Sequence, residues 1–449
     1  MASMPETPTP RERRFTVALF LMGLAMYFVV NIHRVAIPGQ IFSQLQAELR
    51  VSASAIAGLG TAFMYIYAVT QLLVGVLVDR YGGMRVLAVG GVVIAVGTLL
   101  FACSTAFWML LASRALVGLG CGCAYLSLVK ECLRLYPHRF TTVLGFVVFF
   151  GYSGGIAGTF PFVKCVEMAG WRAGMLIIAG TGVLLLAGMA IFWRGAWRPA
   201  INRAALLSVA PYREGLSNFN TLKCLLATMT GFGVYYVVLT VIGGKLLEDI
   251  GGLSPARAAK CCSLLILLSA ISNQVTGVLS VHRGNRRRSF LQWQAGLVPA
   301  GCLLALAGIA LLPGHPALGP VLVVAFLCIM MSSGFSPLTN AILIEVNPPA
   351  LTGVAVGLGN FAAYAFVALF SSLAGAILDL FGGQSPPGAD GHILYPAAAY
   401  LTLFSVFLLI TTAAYAIARR LPETHGRNIH DGRSRPVRLF GRTLMTLHT

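Results

Sequence analysis

The stretch Gly75-Val76-Leu77-Val78-Asp79-Arg80-Tyr81-Gly82-Gly83-Met84-Arg85 stands between two apolar runs, near residues 54–78 and 86–104. Each run is about 20 residues long, enough as a helix to cross a hydrocarbon core of roughly 30 Å. Two such runs joined by a short charged turn read as a pair of membrane helices that leave the bilayer and re-enter it. Gly82 permits the tight turn, Gly75 lets two helices approach closely, and Asp79, Arg80 and Arg85 can make ion pairs at the membrane face. A charged latch at a helix end of this kind can hold one conformation shut. A plainer reading fits the two arginines equally well, because basic residues gather in cytoplasmic loops.

The same alternation continues through the chain on both sides of this turn. Spans fall near residues 15–39, 54–78, 86–104, 107–131, 141–165 and 173–194, and again near 222–246, 258–281, 289–312, 318–345, 351–379 and 394–418. That is an all-α integral membrane fold of twelve transmembrane helices in two six-helix bundles. The expected divisions are a tail at 1–14, an amino-terminal bundle at 15–194, a linker at 195–221, a carboxy-terminal bundle at 222–418 and a basic tail at 419–449. Composition agrees: of 449 residues 57% are hydrophobic and only 10% charged, against roughly 25% charged in a soluble domain. Lipid must be part of the solvent. The apolar run after Arg11, Arg13 and Arg14 is too long for a signal peptide and has no small-residue cleavage site, so it reads as a retained first helix.

The net charge of +18 tracks topology rather than a nucleic-acid surface. With both termini cytoplasmic, about 23 Lys and Arg fall on that side and about six on the other, namely Arg50, Lys164, Arg172, Lys245, Arg257 and Lys260. The expected setting is therefore the cell (inner) membrane, with an even number of crossings. The ten cysteines lie almost entirely in apolar segments, where a thiol behaves as a small hydrophobe, and no CxxC or other metal-ligand spacing occurs. No cofactor or metal is expected.

The opening motif has a weaker echo. About 200 residues on, after the eighth span, the chain reads Gly277-Val-Leu-Ser-Val281-His282-Arg283-Gly284-Asn285-Arg286-Arg287. The glycines and the last arginine coincide, while Val281 replaces the acid, which suggests a duplication of two pseudo-symmetric halves. The GxxxDRxGxxR pattern between the second and third helices resembles the loop motif of the major facilitator superfamily. Arg114 with Gly118, Gly120 and Gly122 in the fourth span, Gly170-Trp171-Arg172 at the sixth and the echo at Gly277, Gly284 and Arg287 extend the resemblance over the chain. That resemblance implies two six-helix halves rocking about a central substrate site, with latch closure resting mainly on Asp79.

Ionisable groups deep in a span are costly and so are functional candidates. Three cations are read within spans: Arg34, Arg114 and Lys130. Tyr27, Asn31 and Arg34 recur at spacings of four and three, which puts them on one helical face. Arg114 shares a face with Gly118, Gly122 and Tyr125. It is expected either to line the cavity or, as the resemblance allows, to organise helix packing or proton exchange. Lys130 points about 160° away from Arg114, near the cytoplasmic end, where snorkelling to headgroups or pairing with Glu131 explains it. His33 is a candidate titratable neighbour of Arg34 or a structural histidine.

In the second half the candidates are uncharged: Ser269, Asn273 and Thr276; Ser332, Ser336 and Asn340; Asn360 and Tyr364; Tyr235, Tyr236 and Thr240. For each, a polar contact between helices worth about 0.6 to 2 kcal/mol competes with substrate contact. No Asp or Glu occupies a mid-membrane position. A cavity whose deep charges are guanidinium groups favours a carboxylate or phosphate, held by charge-assisted and bidentate hydrogen bonds.

The expected function is secondary active transport of a small anion by a monomer, with a proton or counter-solute as the coupled partner. Export of a lipophilic compound is the alternative. A membrane enzyme would need a nucleophile with a base or a cluster such as HExxH, and a nucleotide-driven pump a GxxxxGK[ST] loop; neither is present. A sensor would need a sizeable output domain, whereas the residues after Arg419 form a short basic tail suited to anionic headgroups.

Overall fold

The computed structural model describes residues 9–136, 140–195, 210–311, 319–332, 335–348, 351–382, 393–430, 434–439 and 442–448. In chain order the helices are α1 (Pro10–Ala36), α2 (Phe42–Leu49), α3 (Ala53–Tyr81), α4 (Gly83–Ala102), α5 (Phe107–Gly122), α6 (Ala124–Leu135), α7 (Phe140–Ala157) and α8 (Phe160–Trp193). They continue with α9 (Ala210–Ser217), α10 (Phe219–Val237), α11 (Gly243–Asp249), α12 (Pro255–His282), α13 (Arg287–Leu311), α14 (Gly319–Met331), α15 (Phe335–Glu345), α16 (Thr352–Gly382) and α17 (Ala397–Ala418). The sequence pattern predicts no strand, but β1 (Ser434–Leu439) and β2 (Arg442–His448) form an antiparallel pair in the tail.

Among the described residues ten helices are long and apolar enough to cross a membrane. One of them, Val143–Trp193, is 51 residues long and takes in most of α7 and all of α8. At 1.5 Å per residue that is about 75 Å, more than twice a hydrocarbon core. It kinks at Gly170, whose φ of 81° only glycine adopts readily, and so contains two crossings. Helices α14 and α15 fall within the single span read near residues 318–345. Twelve crossings are thereby accommodated.

Two departures from uninterrupted spans have local causes. The fourth span breaks between α5 and α6, where Gly120 and Gly122 weaken the helix and the Cys123 N–H turns back to the Gly120 carbonyl at 3.1 Å. The seventh carries a π turn at Val238–Ile242 between α10 and α11 and continues to Asp249. Residues 196–209 of the expected linker, including Arg198 and Arg203, lie outside the described residues; the short helix α9 comes directly after them.

The chain divides into two compact units: residues 1–34 with 69–207, and residues 35–68 with 208–449. In the first, α4 packs against α5 and α8. Its contact with α5 depends on glycine, since a Cβ at Gly90 would sit 2.8 Å from the Gly120 carbonyl oxygen and one at Gly97 2.8 Å from Val117. Small residues that let backbones approach are the usual basis of helix association in lipid. In the second unit α10 packs against α16 and α17, and α13 against α14 and α17.

Candidate functional site

In the first unit the α1 face is built as its spacing predicts. The Asn31 amide donates to the Tyr27 carbonyl at 2.9 Å and its oxygen accepts from Arg34 Nη1 at 3.4 Å, so the asparagine is oriented by both neighbours. Arg34 is 7% exposed and Arg114 1%. Arg114 reaches α1 by donating from Nη2 to the His33 carbonyl at 3.4 Å, and both guanidinium groups lie near the buried thiol of Cys121. Tyr125 of α6 brings its ring to within 6.1 Å of the Tyr27 ring. Tyr27, Asn31, Arg34, Arg114 and Tyr125 thus lie in one group, with Tyr27 and the two arginines buried and Asn31 and Tyr125 half-buried.

Its surroundings are held by close packing. Helix α7 meets the α1 face at Gly151, where a Cβ would lie 2.5 Å from the Tyr27 ring and 3.0 Å from the Asn31 amide. Gln71, 3% exposed, donates to the Gly122 carbonyl at 3.0 Å, and Thr70 fills the space a side chain at Gly122 would need. Gln71 is a polar residue that the spacing arguments missed; its burial in an apolar helix was the available signal. His33 turns away from this group toward α4. Thr98 donates its hydroxyl hydrogen to the Ile94 carbonyl at 2.6 Å, so its oxygen receives the His33 Nε2 hydrogen across 3.1 Å. That bond ties α1 to α4.

At the loop motif, Gly82 adopts φ 88° as the tight turn requires. Asp79 pairs with Lys130 at 2.5 Å rather than with the arginines, and both side chains are about half exposed. Arg80 lies over the Tyr81 ring at 5.3 Å, and Arg85 donates to the Tyr81 carbonyl at 3.2 Å. The expected pairing of Lys130 with Glu131 is not made, because adjacent residues on a helix point about 100° apart; Glu131 pairs with Arg134 one turn on. The close approach expected at Gly75 is also absent: among the described residues nothing lies within 4 Å of a Cβ built there.

The echo in the second unit has its own acid. Gly284 makes the turn with φ 76°, Gly277 lies on α12, and Arg287 contacts Glu345 at the end of α15 at 3.4 Å and the Ser280 hydroxyl at 3.3 Å. The acid missing at Val281 is therefore supplied from another helix. Residues after α17 strap this end: Thr424 donates to Glu345, and Glu423 caps the start of α13 through the amides of Arg288 and Ser289 at 3.1 and 3.3 Å.

The uncharged candidates of the second half divide. Tyr364 joins Phe63, Tyr67, Phe232, Tyr235 and Tyr236 in an aromatic cluster, with Tyr67 and Tyr364 centroids 4.5 Å apart and edge-on. Ser269 donates to the Tyr235 hydroxyl at 3.3 Å. Asn273 and Asn360 are half-buried, and Asn340 lies near Gly359. Thr276 instead receives a hydrogen bond from Gln294 of α13 at 2.9 Å, and the Ser332 and Thr240 hydroxyls return to their own helix backbones. The Ser336 side chain lies outside the described residues.

One charged group was not singled out in the sequence. Lys245 and Asp249, 2% and 0% exposed, pair at 2.7 Å. Lys245 also donates to the Ile393 carbonyl at 2.7 Å, and Asp249 accepts from the Tyr395 amide at 3.1 Å and the Tyr400 hydroxyl at 2.8 Å. The span read to residue 246 ended between them, with Lys245 counted only as a far-side basic residue and Asp249 left beyond the span, and the i, i+4 spacing was the overlooked signal.

Comparison with known proteins adds the family. The Major Facilitator Superfamily profile matches residues 19–310. A probable sulfoacetate transporter of Cupriavidus necator is 24% identical over 351 residues, covering 74% of this chain and 80% of that protein. Multidrug resistance protein D of Escherichia coli is 26% identical over 309 residues, covering 66% and 72%. Among solved structures, a bacterial homologue of the human lysosomal transporter Spinster superposes with a TM-score of 0.71 at 17% identity, covering 93% of this chain and 98% of that one.

Proposed function

The chain belongs to the major facilitator superfamily, and on that footing we propose that it is a secondary transporter of a small carboxylate, sulfonate or phosphate anion, working by alternating access. It is a multi-pass membrane protein whose relatives are transporters rather than enzymes. The observation that carries the anion reading is the burial of both Arg34 and Arg114 in the first unit, Arg34 bonded to Asn31 and Arg114 to the His33 carbonyl, with the Tyr27 and Tyr125 rings paired on the same α1 face. Two guanidinium groups in a low-dielectric interior stabilise a planar anion through charge-assisted hydrogen bonds. The relative named for sulfoacetate, itself an anion, supports the same direction. The remaining polar candidates, Asn273, Ser336, Asn340, Asn360 and Tyr364, belong to this proposal as residues that shape specificity.

The transport units are inferred to be bundles at 15–194 and 222–418 with both termini cytoplasmic in the cell membrane, on the basic asymmetry of the loops. A reporter fused after Thr449 is expected to be active only on the cytoplasmic side; activity only on the outer side would overturn the orientation. The driving force is an ion gradient, a proton in the first instance, or a counter-solute. Thermal-shift screening of purified protein against metabolite anions tests the substrate class, because a ligand of the folded state raises apparent stability by mass action.

A second reading, export of a lipophilic compound, is favoured by the aromatic cluster around Tyr364 and by likeness to the drug-resistance protein. Stabilisation by neutral aromatic compounds, unaffected by loss of Arg34, would select it.

A further inference from the structure

The first N–H groups of an α-helix have no partner within the helix. At the start of α3 two of them are met from a distant element: Asp379, near the end of α16, accepts from the amides of Ala53 at 2.6 Å and Ser54 at 3.0 Å. Ser52 meets the next two locally, its hydroxyl accepting from Ala55 at 3.2 Å and its carbonyl from Ile56 at 3.2 Å. The helix is therefore already capped in the ordinary way, and Asp379 adds a carboxylate to the positive end of its dipole.

The contact continues back along one face of α16. A Cβ at Gly375 would sit 2.7 Å from both the Ala57 side chain and the Ser54 backbone, so α3 and α16 touch where only glycine fits. The Ser372 and Thr61 hydroxyls are 3.1 Å apart, and Thr61 also donates to the Ala368 carbonyl at 3.3 Å. Residues 368, 372, 375 and 379 share one helical face. The segment before α3 adds the Gln46 amide, which donates to the Tyr395 hydroxyl at 2.8 Å, and Ser43, which faces Glu248 at 3.5 Å. These contacts join residues 35–68, which come directly after α1, to the carboxy-terminal half within one compact unit. At the Asp379 end the contact consists of small side chains and single polar bonds.

We propose that Asp379 is a latch on the membrane face reached by the first crossing: its carboxylate clamps the start of α3 to α16 when that face is closed, and its release frees residues 38–61 so that the face opens. The latch belongs to the transport cycle and is independent of the charge of the solute. Nothing in the sequence pattern pairs residue 379 with residue 53.

The test is labelling of Ser43→Cys, a near-isosteric reporter that is 7% exposed in the serine form. A membrane-impermeant maleimide is applied from the far face to protein in proteoliposomes, and labelling of the parent without the reporter is subtracted. Asp379→Asn should raise the labelling rate on the order of 3- to 30-fold, the range for loss of a carboxylate from a partly buried helix N-terminus. Ser52→Ala removes a cap of the same helix without touching α16 and should stay within about twofold of wild type. No rise in Asp379→Asn, or equal rises in both variants, overturns the proposal, the second outcome meaning simple fraying of α3. Should Asp379→Asn not fold, the Thr61→Cys/Ser372→Cys pair decides. Its disulfide should form readily, suppress labelling at position 43 and release it on reduction. Failure to cross-link, or labelling unchanged by the cross-link, overturns the proposal.

Discussion

Arg34→Ala removes one of two buried guanidinium groups and leaves its surroundings in place. Asn31 remains tied to the Tyr27 carbonyl at 2.9 Å, and Gly151 of α7 still packs on the same face, so the variant should insert and remain monodisperse. The effect on an anion is large because Arg34 is only 7% exposed and Arg114 beside it 1%, so water does not substitute for the lost charge. Removing one partner of a desolvated charge pair costs about 2 to 5 kcal/mol. At about 1.4 kcal/mol per tenfold this weakens binding about 30- to 3,000-fold. Arg34→Lys should recover only part of it, since an ammonium keeps the charge and loses the planar fork. The assay is ligand titration of purified protein by thermal shift and calorimetry, with sulfoacetate, benzoate and phosphate as probes and size-exclusion profiles run alongside. A probe that binds wild type and Arg34→Ala with the same affinity refutes the assignment of Arg34 to the anion site.

Asp79→Asn breaks an ion pair whose side chains are about half exposed, and such pairs contribute about 0 to 1 kcal/mol, so melting should change little. Cysteine labelling on the two membrane faces should nevertheless shift by up to about fivefold, and lost binding with unchanged labelling would count against a latch role. Asp249→Ala leaves Lys245 buried without its acid and should destabilise by about 3 to 5 kcal/mol, while Lys245→Met/Asp249→Leu recovers most of the loss; a single variant that melts like wild type would contradict the burial of this pair. Tyr395, which precedes α17, has its phenol pushed up to about 12, first by burial and then by the charges of Asp379 and Asp249, against the lowering effect of its bond from Gln46. Its neutral form is favoured in the folded state, so that contribution is fully present below pH about 10 and is lost as pH rises toward about 12. The difference in phenolate absorbance between wild type and Tyr395→Phe should titrate near pH 12, and titration near pH 10 would show the ring to be solvated.

Helix count and family were legible because they rest on long-range periodicity: runs of about 20 apolar residues and the glycine and charge spacing of residues 75–85 survive without knowledge of any contact. The Tyr27, Asn31 and Arg34 face was legible for the same reason, being a local property of one helix. Asp79 was recognised, but its partner was not, because Lys130 lies on a separate helix and pairing depends on packing. The same limit hid Glu345 behind Arg287 and the Asp379 clamp, whose partners are backbone amides with no sequence signature, whereas the Lys245–Asp249 pair was a local i, i+4 signal that was overlooked. For Thr276 and Ser332 the sequence left substrate contact and interhelical contact open; Thr276 receives a hydrogen bond from Gln294 of α13, and Ser332 donates to the Ile329 carbonyl of its own chain segment. The break at Cys123 was foreshadowed by Gly120 and Gly122, which were read for face sharing rather than as helix weakeners.

The anion proposal stands or falls on recognition of negative charge at Arg34 and Arg114. The measurement that bears on it most directly is the thermal-shift response of wild type and Arg34→Ala to matched compounds: sulfoacetate, benzoate and phosphate, each beside its neutral ester or amide and a cationic amine of similar size. The account predicts that at least one anion stabilises the wild-type protein, by about 2.7 kcal/mol at 100 times its Kd, while its neutral and cationic counterparts do not and Arg34→Ala loses the response. Stabilisation by the neutral or cationic compounds that equals or exceeds that of the anions, and persists in Arg34→Ala, would contradict it.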